Sequence, residues 1–284
     1  MATAAPEGGQ AEGGSGPRDV RAAIGYTRRT GRAPYFYANA HEKDYVPLAP
    51  VEVDIIDARG RETSLDREGF VLVEHRSACP DLTDLEQVAA IHRDEIAELL
   101  GHVTGCDHVA MTPVGILRYS ERSGKVGSTD NSHPARFAHV DMARTAAAQA
   151  RDRTAPEGKA IARSAMYNVW RVLSPPPQDV PLALCAYTSL DEAHDLIDCT
   201  AIFDPPGGGP EWSFANYVIA HNPAHRWHYY PDMHPGEVIV FKTSESDPAR
   251  AQMMPHGAFD NPLAPPDAPP RISLEMRGTC YWFG

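Results

Sequence analysis

Short apolar stretches separated by glycine and proline turns follow one another from about residue 109 to the C-terminus, and this pattern restricts the fold more than any other feature. Several short strands in succession, each bounded by turn residues, are typical of a β-sandwich or barrel. Two earlier candidate strands cover residues 51–55, where apolar and acidic residues alternate, and residues 69–73. The later candidates cover residues 109–111, 116–119, 165–173, 182–188, 214–220, 238–242 and 272–276. The sequence therefore predicts a mainly β protein.

One long helix is predicted before the later strands, over residues 85–104. Thr83 and Glu86 have the spacing of a capping box at its start, and Gly105 is a suitable residue for its end. Its apolar residues recur at the helical period and form one face. A shorter helix is predicted over the alanine-rich residues 142–150. Helices flanking many short strands favour a jelly roll among the β architectures.

Composition limits the domain organisation and the partners. Residues 1–19 are rich in glycine, alanine and glutamate, which predicts a disordered tail before a single domain over residues 20–284. The formal net charge is −12, and no cluster of basic residues is present, so we expect no nucleic-acid partner. Hydrophobic residues make up 42% of the chain, enough to form a sizeable core.

The cysteines and the N-terminus indicate the cellular compartment. The five cysteines are scattered and form no C-x-x-C pair, a pattern that favours reduced thiols. The N-terminus lacks the charged and apolar segments of a signal peptide. No apolar run approaches the roughly 18 residues that would indicate a membrane span. We therefore expect a cytoplasmic protein without a membrane partner.

His139 and Asp141 are candidate metal ligands. They are two residues apart, so on a strand their side chains point to the same face. An imidazole and a carboxylate presented together, with one more histidine, form the facial triad that holds non-haem Fe(II). Because an isolated H-x-D sequence is common by chance, the prediction depends on a third ligand further along the chain.

His256 is the preferred third ligand, since it follows the predicted strand at residues 238–242. The alternative is a cluster formed by His221, His225, His228 and His234. That cluster lies among aromatic residues beside a proline turn, which is more typical of packing than of metal binding. The role of these four histidines stays open at the level of sequence.

Arg271 and Ser273 are the candidate ligands of an acidic cosubstrate. Arg271 comes fifteen residues after His256, and Ser273 shares its strand face. A guanidinium and a hydroxyl together can bind a carboxylate through paired hydrogen bonds. This order of residues is the one in which 2-oxoglutarate oxygenases hold the distal carboxylate of the cosubstrate. Structural pairing of Arg271 with Glu275 or Glu237 is the simpler alternative.

Beyond single motifs, the chain resembles the hydroxylase/desaturase family that includes the cephamycin methoxylation hydroxylase and fungal secondary-metabolite oxidases. The shared sequence segments extend from about residue 50 to the C-terminus. They include Leu65-Asp-Arg-Glu-Gly-Phe70, His139-Val-Asp141, Asn168-Val-Trp-Arg171, Pro181-Leu-Ala-Leu-Cys185, Trp227-His-Tyr-Tyr-Pro-Asp-Met233, Gly236-Glu-Val-Ile-Val-Phe-Lys242, Pro255-His-Gly-Ala-Phe259 and Arg271-Ile-Ser273. The chain departs from its relatives at Val172, where they usually have proline, and at Glu245, where they often have an Asp-Ser pair.

The resemblance implies a cupin-like double-stranded β-helix that uses Fe(II), 2-oxoglutarate and O₂. It assigns iron to His139, Asp141 and His256, and the cosubstrate to Arg271 and Ser273. It implies a dioxygenase of secondary metabolism that hydroxylates or desaturates a small molecule through an iron(IV)-oxo intermediate. It names neither the substrate nor the choice between the two outcomes, and it does not give the oligomeric state.

Four further residues are weaker candidates. Asn168 and Trp170 share one face of the predicted strand at residues 165–173, and Arg171 is on the other. Asn168 is a candidate for cosubstrate binding, and Trp170, Arg171 and Tyr229 are candidates for substrate binding. Core packing is the competing explanation for Trp170 and Tyr229.

Three other classes of protein compete with the oxygenase. A noncatalytic metal-binding jelly roll and a metal-dependent lyase or isomerase would both keep the three metal ligands. Only an oxygenase explains Arg271 and Ser273 as well. The absence of G-x-S-x-G argues against a serine hydrolase of the α/β type.

Overall fold

Residues 18–284 are described by the computed structural model, and most of the predicted tail at residues 1–19 therefore lies outside the described residues. Two sheets face each other, one of nine strands and one of six. The strands are β1 (Val20–Thr27), β2 (Tyr35–Tyr37), β3 (Leu48–Asp57), β4 (Phe70–Glu74), β5 (His108–Met111), β6 (Ile116–Tyr119), β7 (His139–Val140), β8 (Ile161–Val172), β9 (Leu182–Cys185), β10 (Leu196–Phe203), β11 (Trp212–Ile219), β12 (Trp227–Tyr229), β13 (Glu237–Glu245), β14 (His256–Ala258) and β15 (Ile272–Phe283).

Apart from β10 and β11, the strands that lie side by side in the two sheets are not consecutive in the chain. The larger sheet has the order β1-β3-β12-β9-β14-β7-β11-β10-β2, and the smaller has β4-β13-β8-β15-β5, with β6 also paired to β15. Each predicted strand has a counterpart, and the predicted β content is confirmed. Strands β1, β2, β10, β12 and β14 were not among the predicted strands, and β7 was only assumed for the H-x-D motif. Strands β2, β7, β12 and β14 have only two or three residues each, too few for an alternating pattern to be recognised.

The helices lie outside the sheets. They are α1 (Leu85–Gln87), which continues through a π-helical turn (Val88–His92) into α2 (Arg93–Thr104), then α3 (Arg144–Thr154) and α4 (Glu192–Asp195). The predicted long helix is thus present, and Gly105 ends it in the left-handed region as expected. Among residues 18–284, no helix combines the length and the hydropathy needed to cross a membrane.

The predicted capping box at the start of this helix is wrong. Asp84 is the capping residue, and its Oδ1 accepts hydrogen bonds from the backbone N–H groups of Glu86, at 2.9 Å, and Gln87, at 3.2 Å. Thr83 instead donates its hydroxyl to Asp81. The capping residue is therefore an aspartate one position later, while the helix itself begins at Leu85 as predicted. The second predicted helix, at residues 142–150, is observed as α3 with its bounds shifted.

Strict alternation along the smaller sheet divides its residues between two apolar layers. Val169 of β8, Val240 of β13 and Met276 of β15 pack outward against Val88 and Leu100 of the long helix. The alternate residues of the same strands point inward. Among them, Trp170 of β8 and Phe241 of β13 pack against Leu184 of the larger sheet. The outer layer therefore fixes the helix, and the inner layer forms the space between the sheets.

All five cysteines are free thiols, as the sequence predicted.

Candidate active site

The structure brings His139, Asp141 and His256 together between the two sheets. His139 begins β7 and His256 begins β14, and the two residues are direct partners in the antiparallel pairing of these strands. One ligand atom from each of the three residues lies within 4.8 Å of the others. The Nε2 atom of His256 is 3.8 Å from Oδ2 of Asp141, and the two imidazole centroids are 4.3 Å apart. This arrangement has the dimensions of a mononuclear metal site.

Gly257 allows the two short strands to come this close. A Cβ atom at this position would lie 2.9 Å from the carbonyl oxygen of Phe137, closer than real Cβ atoms approach backbone. Because glycine lacks that atom, β14 can pack against the residues that precede β7. The His-Gly sequence therefore helps to set the distance between His256 and His139.

Backbone carbonyl groups orient both imidazoles. The Nδ1 atom of His139 is 3.0 Å from the carbonyl oxygen of Phe137, and Nδ1 of His256 is 3.3 Å from that of Met254. A carbonyl oxygen only accepts, so each Nδ1 carries the hydrogen and each Nε2 keeps its lone pair. This is the tautomer that a metal-binding histidine needs.

Two side chains of the smaller sheet hold the carboxylate of Asp141. Asn168 of β8 donates its amide to Oδ2 at 2.8 Å, and Arg277 of β15 donates to Oδ1 at 2.9 Å. Arg277 is itself paired with Glu275 at 2.7 Å. Asp141 is only 9% exposed, so these contacts replace the solvent that its charge would otherwise require.

Burial and neighbouring charges favour the protonation states that bind a metal. Burial lowers the pKa of His139 to about 3, and the neighbouring imidazole of His256 adds to the effect. Burial alone would raise the pKa of Asp141, but the guanidinium of Arg277 and the two histidines hold it well below its usual range. At neutral pH, His139 is thus neutral and Asp141 ionised.

Arg271 directly precedes β15, and its side chain points inward and is buried, with 2% of the residue exposed. Its Nη1 donates to the hydroxyl of Ser273 at 2.8 Å, and the guanidinium carbon is 5.8 Å from the ring centroid of Trp170. Among residues 18–284, its Nε and Nη2 atoms have no hydrogen-bond partner. Burial, together with the charges of Arg118 and Arg136, lowers the pKa of Arg271 to about 10. The predicted pairing with Glu275 or Glu237 is absent from this part of the chain, since Arg277 and Arg59 pair with those two carboxylates.

Two cavities adjoin the three candidate ligands. A narrow cleft of about 20 Å³ reaches from His139 and His256 to Arg271. A larger cavity of about 230 Å³ lies against His139 and Asp141 and is lined by both aromatic and charged side chains. Arg118 and His139 line both cavities. The candidate metal ligands therefore lie where a narrow cleft meets a larger cavity.

The weaker candidates are divided between this site and the rest of the molecule. Asn168 contacts Asp141, and Trp170 lines the narrow cleft. Arg171 points away from the site, where its guanidinium donates to the backbone carbonyls of His75 and Pro235. Tyr229 is fully buried in an apolar cluster with Ile55 and Trp227 of the larger sheet. Its hydroxyl donates to the carbonyl of Arg18. The structure does not bring Arg171 or Tyr229 to the candidate ligands.

The four histidines of the alternative cluster do not come together as metal ligands within residues 18–284, although His234 lies with Glu74 and Glu237 in a second group of possible ligands. His225 bonds to Asp195 and to the hydroxyl of Tyr26, and Nδ1 of His228 lies 3.1 Å from the carbonyl of Arg226. His234 lies near Glu74 and Glu237 at the surface, but both oxygens of Glu237 already accept from Arg59. The contacts of His225 and His228 agree with the packing role that the sequence favoured for this cluster.

The sequence analysis did not single out several polar residues at the site, and Arg118, Asn216 and Arg277 are those that lie on strands beside the candidate ligands. Each is a polar residue at an inward position of a strand, and for Arg277 the alternation that includes Arg271, Ser273 and Glu275 was a usable signal. For Asn216 the signal was weak, because strand β11 carries polar residues on both faces.

The family model for the oxidoreductase/YMDC permease-like domain matches residues 24–281. The chain belongs to this family. Among curated proteins, it is 29% identical over 237 residues to the alpha-ketoglutarate-dependent dioxygenase phiK of a fungal species, covering 79% of this chain and 82% of that protein. It is 27% identical over 249 residues to the hydroxylase/desaturase CTB9 of Cercospora beticola, covering 81% and 76%.

A solved structure of the iron and alpha-ketoglutarate-dependent endoperoxidase NvfI superposes with a TM-score of 0.77. It is 22% identical in sequence, and the match covers 95% of this chain and all of that one. The predicted jelly-roll fold is confirmed by this likeness. The predicted resemblance to hydroxylase/desaturases is confirmed by the relatives, as is the enzyme class, a 2-oxoglutarate-dependent dioxygenase that uses iron and acts on small molecules.

Proposed function

We propose that this chain hydroxylates or desaturates a small organic molecule, with Fe(II) held by His139, Asp141 and His256 and 2-oxoglutarate held by Arg271 and Ser273. A biosynthetic substrate agrees with the names of the relatives. A cytoplasmic location remains the prediction made from the reduced cysteines.

The three candidate ligands fit ferrous iron in type and number. Two neutral imidazoles and one carboxylate form the donor set typical of non-haem Fe(II) sites that keep open positions. Both Nε2 atoms have free lone pairs, since each Nδ1 donates to a carbonyl. Asp141 has to share its carboxylate between iron and the donors Asn168 and Arg277, which then orient it.

The two guanidinium nitrogen atoms of Arg271 that have no hydrogen-bond partner among residues 18–284 are the observation that carries the proposal. A buried arginine with two nitrogen atoms lacking hydrogen bonds is unfavourable unless a ligand supplies the acceptors. A carboxylate has the geometry for paired bonds with such a guanidinium, and its charge would offset that of Arg271. The cleft leads from there to His139 and His256, so one diacid can lie between Arg271 and the metal ligands.

The cleft must widen when a five-carbon diacid binds. Its volume of about 20 Å³ has room for only about one water molecule. The larger cavity shares Arg118 with the cleft and offers the nearest space into which the ligand could extend.

Fe(II) and 2-oxoglutarate, when bound, supply the oxidising power by decarboxylation of the keto acid in the presence of O₂. The chain's own residues bind, orient and exclude water. Asn168 and Arg277 fix the carboxylate of Asp141, and Arg271 positions the cosubstrate. Phe214 and other aromatic side chains of the larger cavity hold the substrate away from bulk solvent.

The alternatives differ in their need for Arg271. A noncatalytic metal-binding protein would bind Fe(II) without consuming 2-oxoglutarate. A metal-dependent lyase or isomerase would need the three metal ligands but no acceptor for the buried guanidinium. Neither alternative explains the unpartnered nitrogen atoms of Arg271.

The visible absorption band of the Fe(II)·2-oxoglutarate chelate tests the proposal. We expect the band when the anaerobic protein is mixed with Fe(II) and 2-oxoglutarate, and we expect succinate when O₂ and a substrate are added. His256→Ala should abolish the band, whereas the matched control His228→Ala should keep it. Melting curves of both variants would show that each is folded. Retention of the band in His256→Ala, or its absence from the wild type, would overturn the proposed site.

A further inference from the structure

Asn216 is a buried amide in the wall of the larger cavity. It is 1% exposed, and neither its Oδ1 nor its Nδ2 has a hydrogen-bond partner among residues 18–284. Burying an amide without hydrogen bonds is unfavourable, and native structures rarely leave both of its atoms unsatisfied. Asn168, by contrast, donates its amide to Asp141. Asn216 therefore differs from its neighbour in having nothing to bind within this part of the chain.

The strand register places Asn216 beside the candidate metal ligands. Val218 pairs with His139 across β11 and β7, so Asn216, two residues earlier, lies on the same face of the sheet. Asn216 and Phe214 both line the cavity that contacts His139 and Asp141. A molecule in this cavity would meet the amide of Asn216 close to the proposed iron.

Aromatic side chains form one part of the wall around Asn216, and charged side chains, among them Arg118 and Glu121, line the rest. Phe203 of β10 stacks on Phe214 with ring centroids 5.4 Å apart and on Trp212 with centroids 4.2 Å apart. Phe36 and Phe137 also line the cavity, and their centroids are 5.2 Å apart. Trp212, at 54% exposure, extends this aromatic surface outward to solvent. Flat rings are the groups that such walls accommodate best.

From this geometry we infer that Asn216 recognises a neutral group with a hydrogen-bond donor and acceptor side by side, such as a lactam, on a flat ring-bearing substrate. An asparagine amide presents one acceptor and one donor group in a plane, and a lactam presents the complementary pair. The cavity volume of about 230 Å³ lies just below the roughly 300 Å³ at which pockets for drug-sized ligands begin, so a small ring system fits. The inference rests on the proposed function, since it concerns the substrate of that site.

The test compares oxindole, a bicyclic lactam, with indane, which has the same ring skeleton without polar atoms. Equilibrium dialysis of the protein with Fe(II) and 2-oxoglutarate, without O₂, gives the Kd of each probe. Asn216→Leu removes both polar atoms at similar size, and we expect it to reduce the preference for oxindole over indane about tenfold. N-methyloxindole, which lacks the donor, should bind the wild type more weakly than oxindole does and bind the variant equally well.

Asn216→Leu should also raise the melting temperature, because it removes two unsatisfied buried atoms. Asn261→Leu is the matched control, since Asn261 donates to the carbonyl of Gln178 and accepts from the N–H of Leu263, each at 3.0 Å. That control should lower the melting temperature and leave the oxindole preference unchanged.

The inference is overturned if the wild type does not bind oxindole, or if Asn216→Leu keeps the wild-type preference. The chelate band, recorded in the same samples, reports on the proposed function separately. Loss of preference with an intact band supports both, whereas an unchanged preference with an intact band overturns only the role of Asn216. A missing band in the wild type overturns the proposed function, and the dialysis result still decides whether Asn216 recognises the lactam.

Discussion

Two buried cations, Lys242 and Arg271, differ in what surrounds them. Lys242 is completely buried, and its Nζ donates to Asp66 at 3.0 Å and to Glu245 at 2.9 Å. Arg163 donates to the same Glu245 at 2.7 Å, so every charge of this cluster has a partner within the chain. Arg271 is equally buried, yet within residues 18–284 its one side-chain hydrogen bond goes to the neutral hydroxyl of Ser273. The first cation belongs to a structural network, and the second lacks an acidic partner in the described part of the chain.

The comparison separates charges that stabilise the fold from charges that are available to a ligand. Burying an ion requires partners to replace the water that it loses. Where the chain supplies them, removing one partner should destabilise the protein. Where the chain does not supply partners, removing the ion should leave the free energy of unfolding unchanged or increase it. Only the affinity for the ligand should then be reduced. The following predictions test this distinction.

The largest expected effect is on stability, at Glu245. Glu245→Gln keeps the size of the side chain but removes the charge that Lys242 and Arg163 share. We expect the free energy of unfolding to fall by about 3 kcal/mol, with no change in the Kd for 2-oxoglutarate. Chemical denaturation measures the first quantity and the chelate band the second. The exposed pair of Arg21 and Asp54 provides the control, since Asp54→Asn should change stability by less than about 0.5 kcal/mol.

The reverse pattern is expected at Arg271. Arg271→Leu should weaken 2-oxoglutarate binding about 100-fold, because a charge-assisted pair of hydrogen bonds is lost, without lowering the free energy of unfolding. Titration of the chelate band measures the Kd. Arg171→Leu is the matched control. Its guanidinium bonds to the carbonyls of His75 and Pro235, so the substitution should reduce stability and leave the Kd unchanged. Equal loss of 2-oxoglutarate affinity in both variants would contradict the distinction.

A smaller effect is expected at Asn168, which bonds to a charge rather than carrying one. Asn168→Leu removes the hydrogen bond to Oδ2 of Asp141 and leaves Arg277 as the remaining donor. We expect about tenfold weaker Fe(II) binding in a competition assay with a chelator, since groups that orient metal ligands contribute to affinity at this scale. Unchanged affinity would mean that Arg277 alone orients the carboxylate.

The last prediction concerns the buried His92 and the change in the free energy of unfolding for each pH unit, which is the smallest effect expected here. Burial lowers the pKa of His92 to about 4 from its ordinary value of 6.5, although Glu95 lies 2.8 Å from its Nδ1 and opposes the shift. Below pH 6.5 the unfolded chain therefore binds a proton that the folded chain does not. This residue's contribution to stability is complete above pH 6.5 and is lost as the pH falls towards 4, by about 1 kcal/mol per pH unit.

His92→Gln should remove that slope. The measurement is the free energy of unfolding of the wild type and the variant at several pH values between 7 and about 4.5. The difference between the two proteins should change with pH in the stated direction. A constant difference would mean that His92 does not titrate in this range and that Glu95 compensates for its burial.

Much of the fold and part of the candidate site could be predicted from local patterns. The long helix was predicted because its apolar period extends over residues 85–104, whereas its cap was misplaced by one residue. His139 and Asp141 were recognised because two alternate positions of one strand share a face. The same alternation correctly placed Asn168 and Trp170 together and Arg171 on the opposite side.

Pairing between distant strands could not be predicted in this way. Strand β12 lies between β3 and β9, although the three are far apart in the chain. Consequently the four histidines near it, which looked like a cluster in the sequence, are dispersed between the core and the surface. Asn216 was missed for the same reason, because its nearness to His139 depends on the register between β11 and β7.

The sequence by itself determined which side chains share a face, and hence the chemical types available to a metal and an acidic cosubstrate. The alternation of a strand is a local property, set by backbone geometry within a few residues. Only the tertiary structure decided which faces meet. Sheet order and register bring Arg277 to Asp141. Among residues 18–284 they leave two nitrogen atoms of Arg271 and the amide of Asn216 without hydrogen bonds, because these contacts depend on strands that are joined through the fold and not along the chain.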